Sequence, residues 1–341
     1  MKDKYDVIIV GAGPAGLACA IELQKSDKSV LILEKNSEIG LKICAGGLTA
    51  KFENLGFSLN DADKLFSSVR VSIFEKEIPI LQDKDFIATI GRSKLGKILY
   101  EKLSEKVEVH MGVKVEVVRE NYIETEGKKI YYEYLVGADG SNSTVRKFLG
   151  LKNKKFAVAL QYAVKNNFHD LEIFFDSVLF GPGYAWIFPH ENQTLIGCGR
   201  EGTASGSELR NNFEKWLKKE NIDTSGSELT GFIVSYDYQG FDFGNKFLIG
   251  DAAGFASGFT GEGIYFAMVS GMEVAKKISD SSYKCEKIDE ILKIKKKHEK
   301  LLNFELALIK FNPGLLKFFY RFVSFFLKFK WVTKKVIQAY F

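Results

Sequence analysis

The feature that most constrains the fold is a glycine-rich turn between an apolar strand and a helix, in the segment YDVIIVGAGPAGLACAIELQ near the N-terminus. Gly11 permits a tight turn, Gly13 lets a phosphate approach the backbone, and Gly16 lets the helix pack against the strand. The free N–H groups and the dipole at the helix N-terminus favour an anion. A second apolar strand, SVLILEK, ends in Glu34, a carboxylate suited to ribose hydroxyls. This order of elements predicts a dinucleotide-binding α/β fold.

Three later segments extend this pattern. Residues 90–103 read as a helix that begins near Arg92, and residues 134–150 read as a strand that ends at Asp139 and turns into a helix. Residues 245–271 give another strand, which ends at Asp251 and is followed by a glycine-rich loop and a long helix. The other GxGxxG in the sequence, GCGREG at 197–202, overlaps the segment QTLIGCGRE that reads as an alternating strand, so we predict one dinucleotide site of this kind.

Cysteine and histidine spacing argues against a metal site. The four cysteines form no CxxC pair, and the four scattered histidines show no HxxxH or HxxE spacing in a predicted helix. Widely spaced cysteines are typical of a reducing compartment, and the N-terminus enters a strand at once, which predicts no signal peptide. We therefore expect no metal, no disulfide framework and a cytoplasmic location.

The middle of the chain shows a different pattern of apolar and polar residues. Residues 66–90 and 155–240 read as short alternating strands with one helix, which predicts an antiparallel sheet. Within GYAWIFP the alternation puts Tyr184, Trp186 and Phe188 on one face. Such a row suits either the floor of an apolar pocket or an ordinary sheet core.

The C-terminal region is basic and aromatic. From Lys276 onward there are 16 Lys and Arg against 6 Asp and Glu, which favours an anionic partner. After Pro313 the polar residues fall on a narrow helical stripe that consists of Lys317, Arg321, Ser324, Lys328 and Lys335. The longest uncharged run is too short to span a bilayer. The tail suits an interfacial helix on anionic lipid, a helix that closes an apolar tunnel or a dimer contact, and we favour peripheral membrane contact. No nucleic-acid reading module surrounds the lysines, so we expect no nucleic-acid partner.

Six segments together resemble the geranylgeranyl reductase family of FAD-dependent oxidoreductases, which has the p-hydroxybenzoate-hydroxylase fold: GAGPAGLACA, CAGGLT, GRSKLG, GADGSNSTVR, GYAWIFP and GDAAGFASGFTGEGIYFAMVSG. The resemblance implies an α/β (α+β) protein with a discontinuous Rossmann-like FAD-binding domain at 1–65, 91–154 and 241–280. It further implies an inserted antiparallel β-sheet substrate domain at 66–90 and 155–240, and a C-terminal helical tail at 281–341.

The resemblance also implies site residues. The expected FAD neighbours are Gly11, Gly13, Pro14, Ala15, Gly16, Glu34, Lys35, Cys44, Ala45, Gly46, Gly47, Arg92, Val115, Asp139, Asp251, Gly261, Gly263 and Ile264. The expected catalytic residues are Cys44, Tyr184 and Trp186. The small residues after Cys44 leave room for a flat ring. Cys44 itself is either a small neighbour of the flavin or a thiol that gates the flavin or donates a proton.

The function that the resemblance implies is reduction of C=C bonds in a geranylgeranyl or related isoprenoid lipid by hydride transfer from reduced flavin. Electrons would come from NAD(P)H or from a small redox protein. One alternative is a flavin-dependent monooxygenase of the same fold, although Gly254 stands where aromatic hydroxylases commonly have His. A second alternative is a non-catalytic prenyl-binding protein.

Overall fold

A computed structural model describes residues 1–165, 168–202, 206–327 and 332, and the chain divides into two compact units. The first unit contains Met1–Lys42, Arg92–Phe156 and Val234–His298. The second unit contains Ile43–Gly91, Ala157–Ile233 and Glu299–Phe341. The largest differences from the predicted ranges are that residues 43–65 lie in the second unit and that residues 234–240 and 281–298 lie in the first.

The chain forms the following strands, in order: β1 (Lys4–Val10), β2 (Val30–Glu34), β3 (Gly47–Thr49), β4 (Lys64–Phe66), β5 (Ser68–Ile73), β6 (Lys76–Leu81), β7 (Ile87–Thr89), β8 (Val107–Met111), β9 (Val117–Val118), β10 (Tyr122–Thr125), β11 (Lys128–Gly137), β12 (Phe156–Val164), β13 (Glu172–Phe175), β14 (Tyr184–Pro189), β15 (Thr194–Glu201), β16 (Thr230–Ser235), β17 (Asp242–Phe243) and β18 (Lys246–Leu248). The α-helices are α1 (Pro14–Leu23), α2 (Arg92–Glu101), α3 (Thr144–Phe148), α4 (Gly206–Lys219), α5 (Ile264–Ser279), α6 (Glu286–Phe311) and α7 (Pro313–Phe326).

The first unit is built on a sheet with the strand order β17-β18-β11-β1-β2-β8, and β10 and β9 extend from β11. The neighbours from β18 to β8 in this order run parallel. Val7, Ile8 and Ile9 in β1 are fully buried, as expected for a parallel strand covered on both faces. A methyl group at Gly271 would lie 2.3 Å from the Ala15 carbonyl oxygen, so α5 packs directly on α1. The predicted Rossmann-like α/β architecture is confirmed.

The second unit is built on a seven-stranded sheet with the order β16-β12-β15-β14-β13-β5-β6. Strands β12, β15, β14 and β13 pair antiparallel, whereas β13 and β5 run parallel. A small sheet of β3, β7 and β4 explains why residues 43–65 belong to this unit, because their strands pair with β7.

The two faces of the seven-stranded sheet carry different helices. On one face, Leu209, Phe213 and Trp216 of α4 pack against Ala185 and Ile187 of β14. On the other face, side chains of α7 and of β5 form one buried cluster that includes Leu316, Tyr320, Val69, Val71 and Ile73. Phe175 and Phe188 pack against this second cluster. The aromatic row of β14 and helix α7 therefore belong to the same face of the sheet.

Candidate functional site

The predicted phosphate-binding turn has the required geometry. Gly11 has φ +107°, and a methyl group there would lie 2.5 Å from the Ala138 carbonyl oxygen. A methyl group at Gly16 would lie 2.0 Å from the Gly11 oxygen, so α1 can approach β1 only with glycine there. Gly13 has open space beside it, and α1 begins at Pro14 with no side chain capping its N-terminus. Uncapped N–H groups beside open space fit the pyrophosphate of a dinucleotide.

Glu34 fixes the end of β2 to this turn. Its Oε2 accepts a hydrogen bond from Ala12 N at 2.8 Å, and its Oε1 accepts bonds from Asn36 N and Nδ2 at 3.0 and 2.7 Å. The carboxylate therefore lies beside the glycine turn in a set orientation, which suits the predicted ribose contact. Lys35 is exposed.

Val115 lies in a connection between two fixed backbone positions. Val113 N donates to Glu34 O at 2.8 Å, and Glu116 N donates to Glu124 O at 2.9 Å. The Val115 side chain is 5% exposed. Within the described part of the chain, no backbone–backbone hydrogen bond engages Val115 itself. Its backbone groups are therefore available to an adenine, as the resemblance implies.

Arg92 begins α2, and its backbone packs closely against Gly40. The Arg92 Nε is buried and has no hydrogen-bond partner among the residues that the structure describes. A buried N–H donor without an acceptor is costly. The donor therefore fits a site that is completed by a polar ligand group.

The glycine-rich loop after β18 leads to an open helix end. Helix α5 begins at Ile264, with Gly263 as its uncapped N-cap residue, and Gly261 takes a positive φ of +70° in the turn before it. A methyl group at Gly263 would lie 3.6 Å from Asp251 Oδ1. Asp251 and the N-terminus of α5 therefore adjoin each other, as predicted for a cofactor-contacting pair.

Asp251 has two polar partners that the sequence analysis did not anticipate. Lys42 Nζ forms an ion pair with Asp251 Oδ2, and Ser141 Oγ donates to the same oxygen at 3.3 Å. Lys42 comes from the segment just before CAGGL and Ser141 from the turn after β11. No local pattern in the sequence links these positions, because each contact joins distant segments.

Asp139 has one carboxylate oxygen in a structural hydrogen bond, whereas its Oδ1 is buried with no hydrogen-bond partner among the described residues, and its contact with FAD stays a prediction. Its Oδ2 accepts a hydrogen bond from Thr144 N at 2.6 Å, next to Ser143, which caps α3. Burial raises the pKa of the Asp139 carboxyl. The side chain thus stabilises the start of α3, which is a structural reason for an acid at this point of GADGSNSTVR.

Arg146 is a buried residue that the sequence analysis missed. It is 3% exposed, and its guanidinium donates to Ala252 O at 3.1 Å and to Asp237 O at 2.8 Å. Asp237 Oδ2 lies 3.4 Å away and balances the charge. Arg146 therefore holds the GDAAG loop, which carries Asp251, in place.

Helix α6 holds the remainder of that loop. Lys295 Nζ donates to Tyr236 O at 2.7 Å and to Ala256 O at 3.0 Å, and His298 Nδ1 lies 2.9 Å from Ser257 Oγ. Both side chains are buried, at 3% and 1% exposure. Lys295 and His298 are therefore held by buried contacts, although they lie in the lysine-rich run KIKKKHEK. These contacts also explain why residues 281–298 belong to the first unit.

The glycines of the CAGGL segment have a packing role in addition to the predicted one. Gly46 has φ +75°, and a methyl group there would lie 2.2 Å from the Ile90 carbonyl oxygen and 2.9 Å from His190 Cε1. A methyl group at Gly47 would lie 2.7 Å from Phe188 Cε2. Both glycines are thus required for packing inside the second unit. Cys44 is half-buried, and its Sγ accepts a hydrogen bond from Gly46 N at 3.4 Å.

His190 contacts the backbone of the CAGGL segment. Its Nδ1 lies 2.8 Å from Asp63 Oδ2, and its Nε2 lies 3.0 Å from the Ala45 carbonyl oxygen. Asp63 Oδ2 also accepts a hydrogen bond from Gly91 N at 2.8 Å. Both ring nitrogens therefore lie within hydrogen-bond distance of oxygen atoms, which fixes the orientation of the ring. The sequence analysis set His190 aside as one of four scattered histidines.

The predicted aromatic row is present on β14. The rings of Tyr184 and Trp186 lie 5.8 Å apart, and Phe175 lies 5.7 Å from Tyr184. Trp186 is paired with Gly197 of β15, where a methyl group would lie 2.3 Å from the indole Cζ2. The indole therefore lies flat against a strand that has no side chain at this position.

Trp186 also carries an unsatisfied donor. The indole Nε1 is buried and has no hydrogen-bond partner among the described residues, and the side chain is 5% exposed. Tyr184 and Phe188, on either side, are partly exposed. The row combines apolar ring surface with one unpaired donor, which are the features of a site for a long apolar molecule with a polar end.

The first unit fits a bound FAD. The open turn at Gly13, the uncapped start of α5 and the unpaired Arg92 Nε supply N–H donors for the oxygens of a phosphate-rich ligand. Within residues 1–165, 168–202 and 206–327, no cluster of His, Cys, Asp and Glu could hold a metal ion. None of the helices in that part of the chain is sufficiently long and apolar to traverse a bilayer.

The chain matches a family described as an FAD binding domain over residues 4–177. It is 34% identical to an uncharacterized protein of Methanosarcina barkeri, over 82% of this chain and 75% of that protein. It is 31% identical to digeranylgeranylglycerophospholipid reductase 3 of Methanosphaera stadtmanae, over 84% of this chain and 81% of that protein.

Among solved structures, the chain resembles a geranylgeranyl bacteriochlorophyll reductase-like protein from Thermoplasma acidophilum. The TM-score is 0.73 at 22% identity, over 98% of this chain and 91% of that one. At this identity the likeness concerns the fold, which agrees with the predicted architecture. With its cofactor and its relatives established, the chain belongs to the geranylgeranyl reductase family of FAD-dependent oxidoreductases.

Proposed function

We propose that this FAD-dependent oxidoreductase saturates isolated C=C bonds in a geranylgeranyl or related isoprenoid chain, attached to a lipid. The observation that carries the proposal is the aromatic row of Tyr184, Trp186 and Phe188 on the α7 face of the second unit. A prenyl chain has no polar group along its length, so its recognition depends on apolar contact area.

The proposal assigns roles to the residues of the row. The faces of the Tyr184 and Trp186 rings orient the prenyl chain and exclude water from it. The unpaired Trp186 Nε1 donates a hydrogen bond to an oxygen of the substrate's polar end. Because Gly197 leaves the indole flat against β15, the ring cannot tilt into that strand.

The remaining residues hold the cofactor. FAD, when bound and reduced, supplies the hydride equivalent. The proposed contacts are the Gly11–Gly16 turn, Glu34, Val115, Arg92, Asp251 and the N-terminus of α5. Arg146, Lys295 and His298 act through these contacts, because they fix the loops that carry Asp251 and Gly263.

Cys44 is the proposed proton source among the residues of the CAGGL segment. Gly46 N donates to its Sγ, which leaves the S–H proton free to point elsewhere. His190 and Asp63 hold the Ala45 carbonyl and thereby set the position of the thiol. Cys44 is then the catalytic residue, whereas His190 and Asp63 are positioning residues.

The proposed electron donor is NAD(P)H or a small redox protein. A substrate of this length resides in a bilayer, so the proposal includes peripheral contact between the protein and that bilayer. Chemical reduction of the flavin removes the donor from the test and isolates the reaction with the lipid.

The test compares two buried tryptophans of the second unit. Trp186→Leu should raise the KM for a geranylgeranyl lipid about tenfold or more at unchanged FAD content, because it removes the ring that contacts the chain. Trp216→Leu is the matched control, since Trp216 is equally buried but lies on the α4 face. Equal effects of the two substitutions on KM would refute the substrate role of the row.

The same assay distinguishes the alternative functions. An oxygenated product that requires air would identify a monooxygenase. Lipid binding without any change in product mass, by a protein that holds no flavin, would identify a prenyl-binding protein.

A further inference from the structure

Helix α7 presents an aromatic stripe to the outside of the second unit. We define this aromatic stripe as Leu315, Phe318 and Phe322, which are 36%, 69% and 54% exposed. Their spacing of three and four residues within α7 puts them on one side of the helix. Large apolar side chains exposed together on one surface mark a binding site for an apolar partner.

The opposite side of α7 is already occupied. Leu316, Tyr320 and Leu327 are buried in the core of the second unit, and the Tyr320 ring meets Phe175 at 5.9 Å. The Asn312 side chain caps the start of the helix by accepting a hydrogen bond from Gly314 N at 2.8 Å. The helix is thus anchored by one face, and the aromatic stripe belongs to the other.

The predicted polar stripe does not face outward in the way the sequence analysis assumed. Ser324 is buried, and Lys76 Nζ lies 3.3 Å from its oxygen atoms. Lys317 and Arg321 lie over the Phe74 ring, at 5.7 and 6.0 Å from its centre. The polar positions therefore border the attached face, while the aromatic side chains are outermost. Lys328 and Lys335 lie outside the described residues.

Charge around the aromatic stripe selects its partner. The helical region from residue 299 to residue 327 carries four cations, which are Lys300, Lys310, Lys317 and Arg321. One of its two acids, Glu305, is buried. A second copy of the chain would bring like charges together across the interface, which is unfavourable. An anionic lipid surface offers both an apolar layer for the rings and negative head groups for the cations.

We infer that the aromatic stripe of α7 inserts into the interfacial layer of an anionic bilayer, with Lys310 and Arg321 contacting lipid phosphates. The inference rests on the proposed function in one respect, which is that the prenyl lipid substrate is drawn from the same bilayer. Because the buried face of α7 covers the sheet face that carries Tyr184, the docked helix lies between the bilayer and the proposed substrate row.

Vesicle co-sedimentation of the full-length protein tests the inference without any turnover. The probe is a vesicle of phosphatidylcholine with about 30% phosphatidylglycerol, an anionic lipid that gives the surface a negative potential. Phe318→Ser with Phe322→Ser should lower the partition coefficient at least about tenfold, because each ring loses its burial in the lipid. The matched control is Val178→Ser with Ile233→Ser, which removes two side chains of 67% and 49% exposure elsewhere in the second unit.

A charge variant separates the contribution of the cations from that of the aromatic stripe. Lys310→Gln with Arg321→Gln should lower binding to the anionic vesicles by about fivefold per charge and leave the weak binding to pure phosphatidylcholine unchanged. An equal loss on both kinds of vesicle would overturn the role of these cations.

Two results would overturn the inference as a whole. Unchanged vesicle binding by the double Phe variant would mean that the stripe does not contact the lipid. A wild-type dimer that sediments without vesicles and dissociates in the double Phe variant would identify a second copy as the partner. FAD content and single-turnover reduction of a detergent-dispersed lipid report separately on the proposed function, so the two can fail independently.

Discussion

Replacement of Gly46 by alanine tests whether the CAGGL segment is shaped by packing within the second unit. The added methyl group would lie 2.2 Å from the backbone oxygen of Ile90, which cannot move freely because Ile90 N donates to Gly46 O at 2.9 Å. Overpacking of this kind costs about 1–3 kcal/mol. The positive φ of +75° adds about 1–2 kcal/mol for any residue with a Cβ.

Gly56→Ala is the matched control, since it isolates the backbone contribution. Gly56 lies in the same unit with nearly the same φ, +77°, but nothing lies within 4 Å of a methyl group placed there. We therefore expect Gly56→Ala to cost about 1–2 kcal/mol and Gly46→Ala to cost about 2–5 kcal/mol. The difference of about 1–3 kcal/mol corresponds to about 3–10 °C in Tm for units of this size.

The assay is thermal unfolding of both variants and the wild type, followed by circular dichroism at one pH and one scan rate. Equal losses in the two variants would refute the packing argument. In that case Gly46 would be required only by a ligand, as the sequence analysis predicts.

Three further predictions concern groups that act around the sites. Lys295→Met should raise the dissociation constant for FAD about tenfold by releasing the Ala256 carbonyl, whereas Lys296→Met, at an exposed neighbour, should leave it unchanged in a fluorescence titration. Burial raises the pKa of Glu305 to about 7. The protonated acid therefore contributes about 3 kcal/mol to the free energy of unfolding below about pH 4.5, and this contribution is lost as the pH rises through 7. Denaturant unfolding at several pH values should show this fall in the wild type and not in Glu305→Gln. Cys44→Ala should retain FAD and lose reduction of the lipid at least about a hundredfold, because it removes the proposed proton source; full turnover would exclude the thiol from the mechanism.

The parts of the fold that the sequence predicts are those governed by short-range patterns. The strand, the glycine turn and α1 follow one another within twenty residues, and the contact that requires Gly16 is with Gly11 in that same segment. The alternation of Tyr184 and Trp186 follows from the two-residue period of a strand and is confirmed by their ring contact.

Short-range patterns cannot predict the packing partners of the glycines in the CAGGL segment. Gly46 and Gly47 meet Ile90 and Phe188, which are far away in the sequence, so no local signal distinguishes a packing glycine from one that admits a ligand. The role of His190 could not be predicted for the same reason, because its partners Asp63 and Ala45 lie in separate segments of the sequence.

Helix α6 did carry a usable signal. Its buried side chains recur at intervals of three and four residues and are Ile288, Ile291, Lys295, His298, Leu302 and Glu305. The apolar members of this series define a buried face, and the polar members fall on the same face. A polar residue in register with an apolar stripe therefore indicates a buried hydrogen-bonding role, even inside a lysine-rich run.

The central claim is tested most directly by one anaerobic experiment on the wild-type protein. The bound flavin is reduced with dithionite, a geranylgeranyl lipid is added in detergent, and the oxidised-flavin absorbance and the lipid mass are followed together. We expect the flavin to be reoxidised with a gain of two hydrogens in the lipid for each flavin oxidised. A flavin that stays reduced until air is admitted, with the lipid mass unchanged, would contradict the proposed reduction of isoprenoid double bonds.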